Sequence, residues 1–518
     1  MSVLFIYIKF IKIFAKVRIF QKNFVSLHNF LNIKVQMITF TLSLLALVIG
    51  YLVYGKFIER IFGPDDRLTP AVEKADGVDY IVLPGWKIFM IQFLNIAGTG
   101  PIFGAIMGAK FGPAAYLWIV LGCIFAGAVH DFLSGMLSMR NGGAGLPELV
   151  GKYLGGTTKN VMLVFSVFLL MMVGAVFVYS PALILGDICG EGNTWVYIWC
   201  GIIFVYYIIA TMLPVDKIIG RIYPLFAVSM LFMAVALMAV LFVKWPSLPE
   251  LTDGIGTMNG TPIFPALFIT IACGAISGFH ATQSPLMARC IKSEKMGRPI
   301  FYGSMITEGI VALIWATVSM YFFYGSAGQE LLGQAPEMTM AAPKVVTVVS
   351  EGWLGLFGGI LAILGVVAAP ITSGDTALRS ARLIIAEFLH LEQHSIRKRL
   401  YICVPLFAAT LGLLFFNIEN PDGFNVIWNY FGWANQTLAV FTLWTITVYL
   451  VQQKKPFVVT FLPAVFMTVV CSTFLVVSKN AFGASMSAGY VMAVVALVVS
   501  LVWFFAWYQK YTKNNLSK

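Results

Sequence analysis

The sequence predicts an all-α polytopic membrane protein with about 13 transmembrane helices, and three observations support this prediction. Hydrophobic residues make up 59% of the 518 residues and charged residues only 11%, whereas about 25% of the residues in a soluble chain are charged. Apolar stretches recur along the chain at close to the roughly 20 residues that cross a bilayer. Basic residues also alternate between successive loops, as expected when the loops lie on alternate sides of a membrane.

The predicted spans follow one another with loops too short to form a soluble domain. They lie near residues 37–55, 86–109, 113–138, 160–186, 195–213, 222–243, 262–285, 300–324, 353–374, 401–417, 425–450, 456–478 and 486–508. The stretch Ala377–His390 has apolar residues at helical spacing, so we expect it to continue the helix at 353–374 into the cytoplasm. The chain therefore forms one membrane domain.

The loop charges predict an orientation. If the 56–85 loop is cytoplasmic, the loops on its side of the membrane carry most of the lysine and arginine residues. The opposite loops carry Lys110, Lys244, Lys344 and Lys479. Because positive loops stay inside, this favours a bacterial inner-membrane protein with the N-terminus outside and the C-terminus cytoplasmic. The net charge of +11 then reflects topology, and we expect no nucleic-acid partner.

The first residues do not fit this orientation, because residues 1–36 are basic yet fall outside. Two interpretations remain open: translation begins at Met37 and the start has been assigned too early, or the segment is a basic amphipathic helix at the interface. We therefore divide the chain into an N-terminal extension at 1–36, a first helix and cytoplasmic loop at 37–85, and a transport core at 86–450. Residues 451–518 form two C-terminal helices and a short basic tail.

Motifs for metal binding, cofactors and catalysis are absent from the sequence. The seven cysteines form no CxxC pair, which argues against structural zinc, and we expect no bound metal or cofactor. Cys189 and Cys200 flank one short loop and could form a disulfide if that loop faces an oxidising space. The chain has no P-loop, HExxH or GxSxG motif, so we expect neither an ATPase nor an enzyme.

Two spans contain glycine and proline near the middle, at Asn95–Pro101 and Gly274–Pro285. These residues free backbone polar groups, which a bilayer tolerates only beside protein or a water-filled cavity. Two such breaks, five spans apart, are typical of inverted-repeat transporters. Close packing of glycine-lined helices remains the alternative. The predicted substrate-binding residues are Asn95, Gly98, Thr99, Gly100, Ser277, Gly278, His280, Gln283 and Asn435, although Asn435 could instead cross-link helices.

Ionisable and hydroxyl side chains within spans are the predicted coupling residues, because a charge there costs a few kcal/mol and is usually functional. They are His130, Asp131, Glu308, Thr372, Ser373 and Asp375. His130 and Asp131 are adjacent, about 100° apart on a helix, so we expect them to face different partners. Asp375 could instead pair with Arg379 one turn on, and Glu308 could simply bond a neighbouring helix.

Five ordered motifs resemble the carbon starvation protein A family between about residues 37 and 450. They are Gly98–Gly104, Ala126–Phe132, Ser277–Gln283, Tyr302–Gly309 and Phe431–Gln436. The resemblance implies uptake of peptides or pyruvate under carbon starvation and a five-plus-five inverted-repeat, LeuT-like core. It makes 86–109, 262–285 and 353–374 the first, sixth and eighth core helices. It also places Thr372 and Ser373 where sodium-coupled relatives hold a cation.

The residues and the resemblance together predict a secondary active importer of small organic nutrients. In this hypothesis the two breaks bind substrate at the membrane midplane, and protonation of His130, Asp131 or Asp375 couples uptake to the proton gradient. A cation-coupled transporter of amino acids or other metabolites is the alternative, and a gated channel is a third possibility. The expected partners are the substrate and the lipid bilayer, and the oligomeric state is open.

Overall fold

The computed structural model describes residues 36–518 except 78, 191–192, 213–214, 256–259, 261, 339, 392–394, 421–422 and 517–518. Every regular element in this part of the chain is a helix, which confirms the predicted all-α class. The expectations for the N-terminal extension fall on residues 1–35, which lie outside the described residues.

Seven numbered helices form the first half of the chain. They are α1 (Ile38–Phe62), α2 (Gly85–Ala97), α3 (Gly100–Gly108), α4 (Ala114–Arg140), α5 (Gly156–Cys189), α6 (Asn193–Met212) and α7 (Val215–Lys244). Short helices at Pro70–Glu73 and Leu146–Leu154 lie in the loops between them.

Nine numbered helices complete the chain. They are α8 (Ala266–Thr270), α9 (His280–Ala288), α10 (Glu294–Tyr324), α11 (Ala342–Ala362), α12 (Ala368–Phe388), α13 (Ile396–Glu419), α14 (Gly423–Gln452), α15 (Val458–Val477) and α16 (Met486–Leu516). A short helix at Ala327–Leu332 precedes α11.

By length and composition, 11 helices of the described chain could cross a membrane, or 12 if the bent pair of α2 and α3 counts as one span. The sequence predicted about 13. The segment that does not qualify is the one predicted at 262–285, because it is helical only over α8 and α9. The structure therefore confirms a polytopic helical protein and gives a lower count by these criteria.

Helix α11 corrects one predicted loop. The sequence assigned 325–352 to a loop, but a helix begins at Ala342 and bends at Gly355, where φ is 62° and ψ is −153°. Val345, Val346 and Val349 on its first turns are buried, and Ala342–Leu361 is itself long and apolar enough to cross a membrane, so the predicted span at 353–374 begins too late. The predicted extension of the next span is confirmed, because α12 continues to Phe388.

Burial separates inner helices from outer ones. In the most apolar windows of α4, α10 and α14, 83%, 83% and 89% of the residues are buried, whereas for α16 the share is 22%. The outward side chains of α16, such as Val494, Val498 and Trp503, are more than half exposed. Apolar side chains exposed in this way are stable only against lipid. Polar residues on the inner helices are therefore the ones positioned to form a site.

The loop after α1 is tied to α4 and α10 by charged groups. Arg140 donates to the carboxylate of Glu294 and to the Gly63 carbonyl at 3.0 and 2.8 Å. Asp65 accepts two hydrogen bonds from the guanidinium of Arg67, and these bonds lower the pKa of the Asp65 carboxyl. These contacts fix the end of α1 on the core.

The cysteines form no disulfide in the described structure, so the bond that Cys189 and Cys200 could have formed is not present. All seven are free thiols, and six are buried. Exposed Cys189 instead accepts a contact from the indole nitrogen of Trp199 at 3.4 Å.

Candidate functional site

The first break separates α2 from α3. The two axes differ by 42°, and Gly98 between them has φ of 47°, a conformation that side-chain-bearing residues rarely adopt. A Cβ at Gly98 would lie 3.0 Å from the ring of Phe177 and 3.3 Å from the hydroxyl of Ser373. Ser373 itself donates to the Leu94 carbonyl at 2.9 Å. The break is thus held against α5 and α12.

The second break is longer, because residues 271–279 form turns and bends rather than a helix. Its backbone polar groups find partners on neighbouring helices. The side-chain oxygen of Asn435 accepts from the Phe279 amide at 2.6 Å and from the Ser277 hydroxyl at 3.0 Å. The indole of Trp118 donates to the Ile271 carbonyl at 2.8 Å. Asn435 therefore cross-links helices through this oxygen, which was one of the two interpretations left open.

Two of the predicted binding glycines lie where protein atoms pack closely. A Cβ at Gly100 would overlap with Cys273, so the two breaks touch each other at this point. A Cβ at Gly278 would overlap with the backbone of Asn435 and Ala439 on α14. At these two positions the geometry favours the close-packing interpretation, since a side chain would displace backbone.

A chain of four fully buried ionisable side chains runs from α4 through α9 to α10. The Nδ1 atom of His130 lies 2.8 Å from Asp131 Oδ1, and the Nδ1 atom of His280 lies 2.7 Å from Asp131 Oδ2. The Nε2 atom of His280 is then 3.5 Å from Glu308 Oε2. His130 and Asp131 contact each other, and the Asp131 carboxylate also accepts from His280, whereas the second nitrogen of His130 has no partner in the described chain.

The predicted coupling residues on α12, which are Thr372, Ser373 and Asp375, have different hydrogen-bond partners. The carboxylate of Asp375 accepts from the hydroxyl of Tyr223 at 2.7 Å. The Thr372 hydroxyl donates to the Ala369 carbonyl at 2.8 Å, while Ser373 bonds α2 as described above. Tyr223 was missed because it lies 152 positions away on α7, and nothing in the local sequence links it to Asp375.

Several buried polar atoms beside the breaks have no hydrogen-bond partner within the described chain. They are both amide atoms of Gln92 and Asn95, the Thr99 hydroxyl, Gln283 Oε1 and Asn435 Nδ2. Each such atom costs about 1–3 kcal/mol unless something else bonds it. Gln92 was not predicted, although it lies one turn before Asn95 on the same apolar helix. Unpaired polar atoms at a helix break are the arrangement expected where a polar solute binds.

A cavity of about 310 Å³ approaches the two breaks from one end of the bundle. Phe103, Thr270 and Trp428 line it, and among the described residues Lys110 is the one charged residue in its lining. The sequence did not predict this cavity, because its lining comes from six separate segments of the chain.

The opposite end is closed by charged groups. Arg289 lies 2.6 Å from the carboxylate of Glu387 on α12 and donates to the Gly143 carbonyl at 2.9 Å. Its guanidinium also lies 5.2 Å from the Tyr80 ring centroid. These contacts join the segment after α9 to α12 and to two loops. The sequence identified Arg289 only as a positive loop charge.

Comparisons with known sequences place these features in context. A family model described as carbon starvation protein CstA matches residues 35–186, 188–352 and 323–474. An uncharacterized membrane protein of Haemophilus influenzae is 48% identical over 339 residues, covering 55% of this chain and 91% of that protein. The peptide transporter CstA of Campylobacter jejuni is 27% identical over 543 residues, covering 82% of this chain and 77% of that protein.

Among solved structures, a point mutant of the manganese transporter from Eremococcus coleocola has a similar fold. The TM-score is 0.55 at 11% sequence identity, covering 84% of this chain and 99% of that one. At this identity the likeness concerns the arrangement of helices and not the transported solute.

Proposed function

The chain belongs to the carbon starvation protein CstA family, and from this premise we propose that it is a secondary active transporter of small organic nutrients, either peptides or pyruvate-like carboxylates. The observation that carries the proposal is the set of unpartnered polar atoms beside two touching helix breaks. Both amide atoms of Gln92 and Asn95 and the Thr99 hydroxyl on one side, and Gln283 Oε1 on the other, are buried yet unpaired within the described chain. A polar substrate bound between the breaks would satisfy them.

The cavity supports a substrate with a carboxylate. The one charged residue in the described part of its lining is the cation Lys110, which attracts anions into a low-dielectric opening. Peptides and pyruvate share a carboxylate, and a volume of about 310 Å³ lies at the lower end of the range for small-molecule sites. Lys110 therefore attracts the substrate before it reaches the breaks.

Alternating access fits the asymmetry between the two ends. If the lysine and arginine distribution sets the orientation, the cavity faces outward and the Arg289–Glu387 pair at 2.6 Å closes the cytoplasmic side. Uptake then requires this pair to part while the outer cavity closes. Import under carbon starvation is the physiological role that the family name suggests for this cycle.

Proton coupling would use the chain from His130 through Asp131 and His280 to Glu308. Each hydrogen-bonded step is 2.7 or 2.8 Å, and the last gap is 3.5 Å. Proton transfer along such a chain changes its charge beside the second break, which links protonation to substrate binding. Sodium coupling through Thr372, Ser373 and Asp375 is the second candidate, because hydroxyl and carboxylate oxygens suit a hard cation.

Reconstituted protein in liposomes tests the function. With a pH gradient imposed, we expect uphill accumulation of radiolabelled pyruvate or of labelled di- and tripeptides. A sodium gradient at constant pH is the parallel arm. If neither gradient drives accumulation of any of these solutes, the proposal is refuted. Flux that only equilibrates the solute would identify a gated channel instead.

A further inference from the structure

Three potential metal ligands converge next to the second break. They are the thiol of Cys273 in the unwound segment, the imidazole of His280 at the start of α9, and the carboxylate of Glu308 on α10. One ligand atom from each lies within 4.8 Å of the other two, and all three residues are buried. Thr270, which lines the outer cavity, lies three residues before Cys273 in the sequence.

The Cys273 thiol lies 3.7 Å from the Ser277 hydroxyl, whereas the ligand atoms of the other two residues are unpaired within the described chain. Neither carboxylate oxygen of Glu308 nor the Nε2 atom of His280 has a hydrogen-bond partner among the described residues. Nε2 and Glu308 Oε2 are 3.5 Å apart, which is long for a charge-assisted hydrogen bond. It is close to the roughly 3.4 Å that separates two ligand atoms on a tetrahedral zinc ion at about 2.0–2.2 Å from each.

The second ring nitrogen of His280, Nδ1, has the kind of partner that orients a metal-binding histidine. Its Nδ1 lies 2.7 Å from Asp131 Oδ2, and a proton shared there presents the Nε2 lone pair to Glu308 and Cys273. Metal-bound histidines almost always use their second nitrogen in this way. Asp131 is in turn held by His130 at 2.8 Å. Asp131 and His130 are thus positioning residues for this cluster.

We propose that Cys273, His280 and Glu308 bind one thiophilic divalent metal ion, for which Zn²⁺ is the probe. Sulfur, nitrogen and oxygen donors together select zinc-like transition metals over Mg²⁺ and Ca²⁺, which prefer oxygen alone. Moving the most distant ligand atom inward by about 1 Å completes three of the four tetrahedral contacts. The fourth position is open to water. This binding does not depend on which solute is transported.

Metal binding by the purified full chain tests the proposal without a transport assay. After dialysis against Zn²⁺, elemental analysis should find one ion per chain. With Co²⁺ as the probe, the chain should show the near-ultraviolet charge-transfer absorption of a cobalt–thiolate bond. Cys273→Ser should abolish that band, and Glu308→Gln, which preserves side-chain shape, should weaken Zn²⁺ binding at least tenfold.

Two further variants make the result decisive. Cys471→Ser removes another buried thiol, on α15, and should retain both the zinc and the cobalt band. Asp131→Asn should weaken Zn²⁺ binding about 10- to 100-fold while the cobalt–thiolate band survives at saturating Co²⁺. Absence of stoichiometric Zn²⁺, or a band that persists in Cys273→Ser, would overturn the proposal. Either result would leave the transport hypothesis standing.

Discussion

The amide of Asn95 is fully buried one turn before the first break, and neither of its polar atoms has a partner in the described part of the chain. A substrate that bonds this amide recovers about 1–3 kcal/mol. We therefore expect Asn95→Ala to raise KM for the transported solute about tenfold or more, since tenfold corresponds to about 1.4 kcal/mol. Initial rates of uptake into proteoliposomes measure this change.

Asn417 is a matched control for Asn95. It is also buried, and its amide atoms likewise lack partners within the described residues. It lies on α13, which contributes no residue to either break. Uptake kinetics of Asn417→Ala should therefore equal those of the unmodified protein. Equal KM changes in both variants would mean that Asn95 acts through packing.

Gly278 shows how a single hydrogen atom in place of a side chain sets helix spacing. Its missing Cβ leaves room for backbone atoms of Asn435 and Ala439, which cannot move without shifting α14. We expect Gly278→Ala to destabilise the protein by about 1–3 kcal/mol through overpacking, seen as a lower melting temperature in detergent.

Gly412 is the corresponding control, because a Cβ there would meet nothing within 4 Å. It lies inside α13, where alanine is a better helix former than glycine by up to about 1 kcal/mol. Gly412→Ala should therefore melt at the same or a slightly higher temperature. A Gly278→Ala protein as stable as this control would contradict the close approach of α14.

At the scale of elements, a metal ion on Cys273, His280 and Glu308 would join the unwound segment and α9 to α10. It would also occupy the nitrogen and oxygen atoms through which His280 and Glu308 are proposed to pass a proton. We expect micromolar Zn²⁺ to inhibit gradient-driven uptake, and Cys273→Ser to reduce that inhibition at least tenfold in Zn²⁺ concentration. Uptake is compared with and without Zn²⁺ within each protein. Equal inhibition of both would show that Zn²⁺ acts elsewhere.

Features that depend on one helix alone, such as its breaks and its length, were largely predictable from the sequence. Glycine and proline located both breaks, at Gly98 and within 271–279, because their effect on a helix is local. Apolar length located the long spans for the same reason. The start of the helix at Ala342 was missed, because Lys344 and Glu351 interrupt its apolar pattern, although Ala342–Leu361 as a whole is apolar enough to cross a membrane.

Contacts between elements were not predictable in the same way. Cys273 and His280 from the second break lie beside Glu308 on α10 in the proposed metal site, and Asp375 contacts Tyr223 from α7. Such pairs depend on how helices pack, which no local pattern encodes. His130 and Asp131 were expected to diverge by about 100°, yet both side chains turn toward one network. Side-chain torsions, which the helical angle alone does not include, account for that contact.

Over the whole molecule, the two ends of the bundle differ. One end has a cavity of about 310 Å³ beside the breaks, and the other is joined across α9 and α12 by Arg289 and Glu387. A transporter that opens to the two sides in turn must close the cavity at one end when the ion pair at the other end separates. In the proposed transport cycle the strength of the ion pair would set part of the equilibrium between two conformations, because removing it would favour the state in which that end is open.

Glu387→Gln should shift this equilibrium. A hydrogen bond between charged groups contributes about 1.5–3 kcal/mol, so its loss should raise the open population roughly tenfold. Ser380 lines the small cavity beside the pair, and Ser380→Cys can report its opening in a background where exposed Cys189 is serine. An impermeant thiol reagent applied from the Arg289 side should label this cysteine about tenfold faster in Glu387→Gln.

The ion pair between Arg298 and Glu59 provides the control. It has a similar distance of 2.8 Å and joins α10 to α1, but neither residue belongs to a broken span. Glu59→Gln removes a comparable charge pair and should leave labelling of the Ser380→Cys reporter unchanged. Faster labelling in both variants would indicate general loosening of that end. Unchanged labelling in Glu387→Gln would show that the Arg289–Glu387 pair does not gate the site, and another contact would then have to close it.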